Sequence, residues 1–420
     1  MTTDSSPPPL VALFNYGGGM RGLIPAYIMS RIEQMTGLRM ADMVDVFCGP
    51  STGAILNAGL TIRHPDRPDE PKYKARHMVR FYEREGVRIF PPDRFRSLRG
   101  LIHDFNNRTM RISQLNNIFK HGHYDPAHLA RALKSLYGSA RLGDTLQSLI
   151  IPFYNIDGTQ LRAATDLGET SGDPVHTRNN AIFEGGHAVW LKHMTLNGGY
   201  GAKRGTPEVL LHDAVTASAA APTFFPCHYF SAQWGDLEYP SEYAAIDGSI
   251  FDNPCMTYLG ALRQHLLPGQ KLIMIAFGTG YTNRAIRKED WNRFGSLGVV
   301  DPVNDLPLIN IFFHASESAL WDTFADEMGD NLYVLNKSLI SHREADWPNV
   351  QIDDGSPENM ERLKNFAELI MEEQSQKLTA VCDILVSNHE RRQRDAASGQ
   401  SPAFPKSWKS MLSQLIPLGD

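Results

Sequence analysis

Apolar residues along the chain follow two periods in turn. Residues 10–14 are an unbroken apolar run, short and continuous enough to predict a strand buried on both faces. The run leads into glycines at 17, 18, 19 and 22. Leu23, Ala26, Tyr27, Ile28, Ile32 and Met35 then recur at helical spacing as far as Gly37, a C-cap residue. Residues 44–47 predict a second strand, which enters Gly49, Pro50, Ser51, Thr52 and Gly53 before a helix over 54–60. Strand, tight loop, helix is therefore used twice in succession. Further strands are expected at 148–156, 271–277 and 331–335, and helices at 127–137, 259–266 and 357–388. The last of these helices starts at Ser356 with Pro357 behind it. The alternation predicts an α/β sheet covered by helices, with no internal repeat.

A chain of 420 residues has room for two to three domains or one large α/β unit. With 42% hydrophobic and 21% charged residues it can bury a core. The formal net charge of -6 leaves no basic excess to hold a phosphate backbone, so no nucleic-acid partner is expected. Cys48, Cys227, Cys255 and Cys382 are widely separated and form neither a zinc pattern nor a disulfide framework, which fits a reducing compartment. Residues 1–9 are acidic and proline-rich and are expected to be a flexible leader, without the basic and apolar regions of a secretory signal. The charge-free stretch 214–235 contains Pro222, Pro226 and several hydroxyls, so it is read as buried structure around a site rather than a membrane span.

Two clusters carry candidate chemistry. Gly17, Gly18, Gly19, Met20, Arg21 and Gly22 lie between a strand and a helix, where uncovered N–H groups can hold negative charge. Read literally this is also G-x-G-x-x-G, a dinucleotide fingerprint, with Asp42 or Asp45 near the place of the ribose-binding acid. Gly49 to Gly53 matches G-x-S-x-G, the arrangement that puts a serine hydroxyl on a strained elbow, and the end of the second strand thus presents Ser51 instead of an acid. Ser51 follows Gly22 by only 29 residues, which fits an α/β-hydrolase topology poorly.

These blocks, with Asp247, Gly248 and Ser249 further on, resemble the patatin-like phospholipases. That family has a glycine-rich oxyanion loop, a G-x-S-x-G nucleophile and a distant aspartate. Ala217 to Pro222 followed by Phe225, Asn253 with Pro254, and Phe277 to Gly280 extend the resemblance across roughly residues 10–390. Two departures stand out: Tyr16 replaces the acid before the glycines, and Ser249 replaces a smaller final residue. The resemblance implies a three-layer α/β/α sandwich with a central, mostly parallel sheet. It implies a serine esterase that degrades membrane lipids, with Ser51 and Asp247 as a catalytic dyad, Gly17, Gly18, Gly19, Arg21 and Gly22 as the oxyanion loop, and Gly49 and Gly53 as the elbow. Phe224 and Phe225 are candidate substrate-binding residues, and no cofactor or metal is implied. A dinucleotide-dependent oxidoreductase and a non-catalytic patatin-like module are the alternatives.

The chain is accordingly divided into the leader 1–9, a lipid acyl hydrolase domain 10–390 and a tail 391–420. In the tail, Trp408, Met411, Leu412, Leu415 and Ile416 mark one face of a short amphipathic helix flanked by Lys406 and Lys409. Residues 63–99 hold eleven basic against six acidic residues, a surplus of five that leaves the remainder of the chain at -11. The expected partners are an acyl-lipid substrate and a membrane surface. The expected location is cytoplasmic with peripheral membrane association. His121 and His123 form an isolated pair without a ligand cluster.

Overall fold

The computed structural model describes residues 7–91, 124–157, 186–195, 205–235, 239–281, 307–340 and 347–397, with a few positions between 286 and 299. The pair His121 and His123 and the apolar residues around Trp408 lie outside the described residues.

The strands are β1 (Leu10–Asn15), β2 (Val46–Cys48), β3 (Arg63–His64), β4 (Arg67–Pro71), β5 (Ser148–Asn155), β6 (His187–His193), β7 (His228–Ala232), β8 (Ser241–Asp247), β9 (Leu272–Phe277) and β10 (Leu332–Leu335). The helices used below are α1 (Leu23–Thr36), α2 (Met40–Met43), α3 (Thr52–Thr61), α4 (Ala75–Ile89), α5 (Pro126–Tyr137), α6 (Leu211–Ala219), α7 (Pro254–Thr257), α8 (Pro307–Met328), α9 (Pro357–Glu373) and α10 (Ser375–Ala397).

One mixed sheet organises the molecule. β10, β9, β1, β2 and β5 are parallel neighbours in that order, and β8 and β7 extend the sheet antiparallel beyond β5, which also pairs with β6. Alternate residues of β1 enter different cores, Val11 and Leu13 on one side and Leu10, Ala12 and Phe14 on the other. A strand covered on both faces has no polar side to offer, which is why residues 10–14 read as a continuous apolar run. The first core is roofed by α1, α3, α4, α5, α6, α9 and α10, and the second by α7 and α8, giving a helix layer on each face of the sheet. Phe14, Phe47, Phe153 and Phe277 are wholly buried within these layers. Each such side chain contributes roughly 1.5–3 kcal/mol relative to exposure.

Several elements depart from the expected pattern. β7 and the first half of β8 alternate half-buried and exposed residues, so they lack the apolar run that marks β1. The helix expected over 259–266 is instead a turn of α-helix followed by a π turn and a 3-10 turn. The long helix expected over 357–388 is two, meeting at Gln374. The second, α10, continues past residue 390 to Ala397, because Arg391 and Arg392 ion-pair with the buried Asp45 at 3.2 and 3.8 Å.

Candidate active site

Parallel pairing of β1 and β2 brings the two glycine-flanked loops side by side, since both leave the carboxyl ends of adjacent strands. In the second loop Ser51 has φ 54° and ψ -123° and opens α3. A side-chain-bearing residue reaches such a conformation only where its surroundings enforce it. Two contacts do so. A Cβ on Gly49 or on Gly53 would meet the Asn15 carbonyl oxygen at 2.0 Å, so the end of β1 sits directly in the turn. The wholly buried Asn15 side chain bonds Asn57, and Asn57 bonds the Cys48 carbonyl at 2.8 Å, closing the network under the elbow. Ser51 itself is only 8% exposed, so the elbow is enclosed. Its main-chain N–H donates to Ser218 Oγ at 3.0 Å.

Asp247 arrives by a different route. β5 overshoots β2, which stops at Cys48 opposite Ile150, and β8 runs back down the overshoot to end with Asp247 opposite Phe153. The aspartate is thereby set at the level of the elbow. Its amide donates to the Ala220 carbonyl at 3.0 Å, and its Oδ1 accepts the Ser249 amide at 2.7 Å. The Ser51 hydroxyl lies next to this carboxyl, near enough to hold its pKa down. Burial pushes the Asp247 pKa up from 3.8 to about 6, because the loss of water outweighs the stabilisation from Ser51 and Ser249.

The first loop packs against both residues. A Cβ on Gly17 would lie 3.2 Å from Ser51 Cβ and 2.1 Å from Ser249 Oγ, so only a glycine admits the elbow here. Gly19 has φ 55° and would place a Cβ 2.2 Å from the Ile352 carbonyl oxygen, which accepts the Met20 amide at 2.7 Å. Thr279 Oγ1 donates to the Gly17 carbonyl at 2.7 Å. No acceptor takes the N–H groups of Gly18 and Gly19 among the described residues.

The remaining expected site residues have surroundings of their own. Gly22 abuts Thr52 and Tyr82, which hydrogen-bond to each other. Burial lowers the Arg21 guanidinium to about 10, and its Nε is enclosed without a partner among the described residues. Tyr16 donates to the Glu317 carboxylate of α8, so a carboxylate stands beside position 16 although the residue there is not an acid. Phe224 and Phe225 join Tyr124 and Phe90 in one aromatic cluster, with Tyr124 stacked on Phe224 at 6.3 Å. Asp45, the acid proposed for ribose binding, sits at the amino end of β2 and accepts the Val11 amide at 2.9 Å. It is at the wrong end of the strand to meet a nucleotide on the glycine loop, and Asp42 is tied to Arg39 at 3.2 Å in α2. Among the described residues no three His, Cys, Asp or Glu side chains gather as metal ligands, and no helix is long and apolar enough to cross a membrane.

Ser218, Thr279, Asn15 and the Ile352 carbonyl were not singled out from sequence. Ser218 and Thr279 fall in the short segments Ala217 to Pro222 and Phe277 to Gly280, which carried a faint signal. Glu317 lies in a helix with no local mark of its partnership.

Comparison with known proteins agrees with this architecture. Patatin-like protein 2 of Oryza sativa subsp. indica is 25% identical over 387 residues, spanning 85% of this chain and 82% of that one. Patatin-like protein 2 of Arabidopsis thaliana is 25% identical over 360 residues, spanning 80% and 74%. Patatin-T5 of Solanum tuberosum is 22% identical over 385 residues, spanning 86% and 83%. Among solved structures, VipD from Legionella pneumophila aligns at a TM-score of 0.26 with 12% identity over 87% of this chain and 69% of that one, an overlap too loose to fix any atom. The family model for patatin-like phospholipases matches residues 16–259, from the tyrosine before the glycine loop to beyond Asp247, and this chain belongs to that family.

Proposed function

We propose that the protein is a serine-dependent lipid acyl hydrolase of the phospholipase A or lysophospholipase type, with Ser51 as nucleophile and Asp247 as its base. One observation carries the reading: the Ser51 hydroxyl, held on a strained turn, faces a buried carboxyl whose pKa is raised to about 6. A carboxylate is a weaker base than imidazole, but a dry setting makes it more basic and lets it give the proton back.

The steps follow from that pair. Ser51 Oγ attacks the ester carbonyl carbon while its proton passes to Asp247. The carbonyl oxygen becomes an oxyanion that the free N–H groups of Gly18 and Gly19 stabilise. Collapse expels the alcohol of the lipid as it takes the proton from Asp247, leaving an acyl-Ser51 ester. Asp247 then accepts a proton from water, the hydroxide attacks the acyl carbon, and the fatty acid leaves as the proton returns to Ser51. An alkoxide leaving group needs less help from the acid than an amide nitrogen, so esters are the favoured substrates. The apolar cluster of Phe224 and Phe225 supplies a wall for the acyl chain.

A fluorophosphonate probe tests nucleophile and reaction class together. Mass spectrometry should map the label to Ser51, and the folded Ser51→Ala protein should neither label nor release fatty acid from phospholipid. A label at another serine, or turnover by Ser51→Ala, would show the assignment to be wrong.

A further inference from the structure

Of the basic residues between 63 and 99, those up to residue 91 lie among the described residues, and they are unevenly used. In the hairpin of β3 and β4 the charges are engaged: Arg63 donates to the Pro68 carbonyl at 2.9 Å, and Arg67 and Arg39 share Glu70 at 2.9 and 3.0 Å. Lys72 donates to the Leu136 carbonyl at 3.3 Å. On α4 the situation differs. Arg76, Arg80, Arg84 and Arg88 recur every fourth residue and are all exposed, while Met78, Phe81, Tyr82, Glu85 and Ile89 face inward. At 1.5 Å per residue the row is about 18 Å long. Arg84 and Arg88 share the buried Glu85 at 2.7 and 3.2 Å, and Glu83 is taken by Lys364 at 3.2 Å. Arg76 and Arg80 have no acidic partner among the described residues.

The inward side of the same helix holds the site. Tyr82 bonds Thr52 of the elbow, a Cβ on Gly86 would strike Met20 of the glycine loop, and Phe90 at the helix end packs on Phe225 at 6.0 Å. A helix with its side chains is about 10 Å thick. Whatever docks on the arginine row is therefore one helix layer from the loops around Ser51.

We infer that α4 is the face by which the protein docks on anionic lipid bilayers, with Arg76 and Arg80 as its free contacts. The choice of a bilayer over an acidic protein rests on the acyl-hydrolase reading, which places the substrate in a membrane. It also rests on charge complementarity, since exposed guanidiniums stacked turn after turn on the outer side of one helix suit a sheet of anionic head groups.

The test uses the full chain carrying Ser51→Ala, so that binding is read without turnover. It should sediment with phosphatidylcholine vesicles that contain phosphatidylserine, far less with phosphatidylcholine alone, and release in high salt. Arg76→Gln with Arg80→Gln should weaken binding about 25-fold, at about fivefold per charge, and the corresponding pair of lysine substitutions should retain it. With Ser51 restored, the glutamine pair should cleave a small soluble ester at the wild-type rate but hydrolyse anionic vesicles more slowly. Equal binding to both vesicle types, indifference to salt, or undiminished binding by the glutamine pair would overturn the inference. So would retention on immobilised polyglutamate without vesicle binding, which would assign the row to an acidic protein. Failure of the Ser51 protein to cleave any soluble ester would count against the hydrolase reading alone, because vesicle binding is scored independently.

Discussion

The main-chain amide of Ser51 donates to the hydroxyl of Ser218 at 3.0 Å, although 167 residues separate the two in sequence. Ser218 in turn donates to the Pro152 carbonyl at 2.6 Å, and two residues later the Ala220 carbonyl accepts the amide of Asp247. The end of α6 and its C-cap residue Ala220 thus anchor the backbone of both proposed catalytic residues. Ser218→Ala would leave a buried N–H and a buried carbonyl unpaired, at a cost of about 1–3 kcal/mol in stability. It should also let the elbow drift, lowering kcat by up to about 100-fold with little change in KM. Steady-state kinetics on a soluble ester, set beside urea unfolding, measures both, and an unchanged kcat would mean that the elbow keeps its shape without this bond.

The strain at Ser51 predicts a difference between two inactive variants. Ser51→Ala keeps a Cβ at φ 54°, whereas Ser51→Gly removes it. The glycine protein should be the more stable by about 1 kcal/mol, read as a higher urea midpoint at equal slope. Equal midpoints would indicate that the turn is not strained.

The raised pKa of Asp247 sets two pH dependences. Activity should rise through a single ionisation near about 6 and then level off, since only the carboxylate can accept the proton from Ser51. Stability runs the other way. The unfolded chain releases this proton near 3.8 and the folded chain near about 6, so burial of Asp247 costs nothing below the first value, increasingly more between the two, and a constant amount above. Asp247→Asn should therefore abolish turnover yet stabilise the fold above pH about 6 by on the order of 3 kcal/mol, with the gain gone near pH 4. Denaturant melts of both proteins across that range check the sign.

Thr279 offers a way to disturb the glycine loop without touching it. Thr279→Val keeps the side-chain volume but removes the 2.7 Å bond to the Gly17 carbonyl. The rate on a soluble ester should fall about tenfold at nearly constant KM, as expected when donors to an oxyanion are misaimed. Gly19→Ala should be more severe and should also lower stability, because the methyl group would collide with the Ile352 carbonyl in a conformation that disfavours it. A loss confined to KM would mean that the loop binds substrate and does not stabilise charge.

What could be read from the sequence was local. An apolar run ending in glycines announces a buried strand and a tight turn, and G-x-S-x-G after such a strand announces a strained serine, because backbone sterics act over a few residues. The helix over 23–36 and its Gly37 cap were legible for the same reason. Asp247 was legible only through resemblance, since an Asp-Gly pair by itself is an ordinary turn. The tertiary structure decided which distant groups meet. The overshoot of β5 beyond β2 sets Asp247 at the height of Ser51, a matter of strand register that no short stretch encodes. Packing of separate segments on the two loops supplied Ser218, Thr279 and Ile352, each presenting a single hydroxyl or carbonyl with no periodic mark. The charge surplus of residues 63–99 was countable from the sequence, but which basic residues remain free depended on where Glu70, Glu85 and the Leu136 carbonyl came to lie. Sterics and hydrophobic period thus determined the elements and the strained serine, whereas long-range pairing and packing, which depend on the whole chain, decided the partners that turn them into a site.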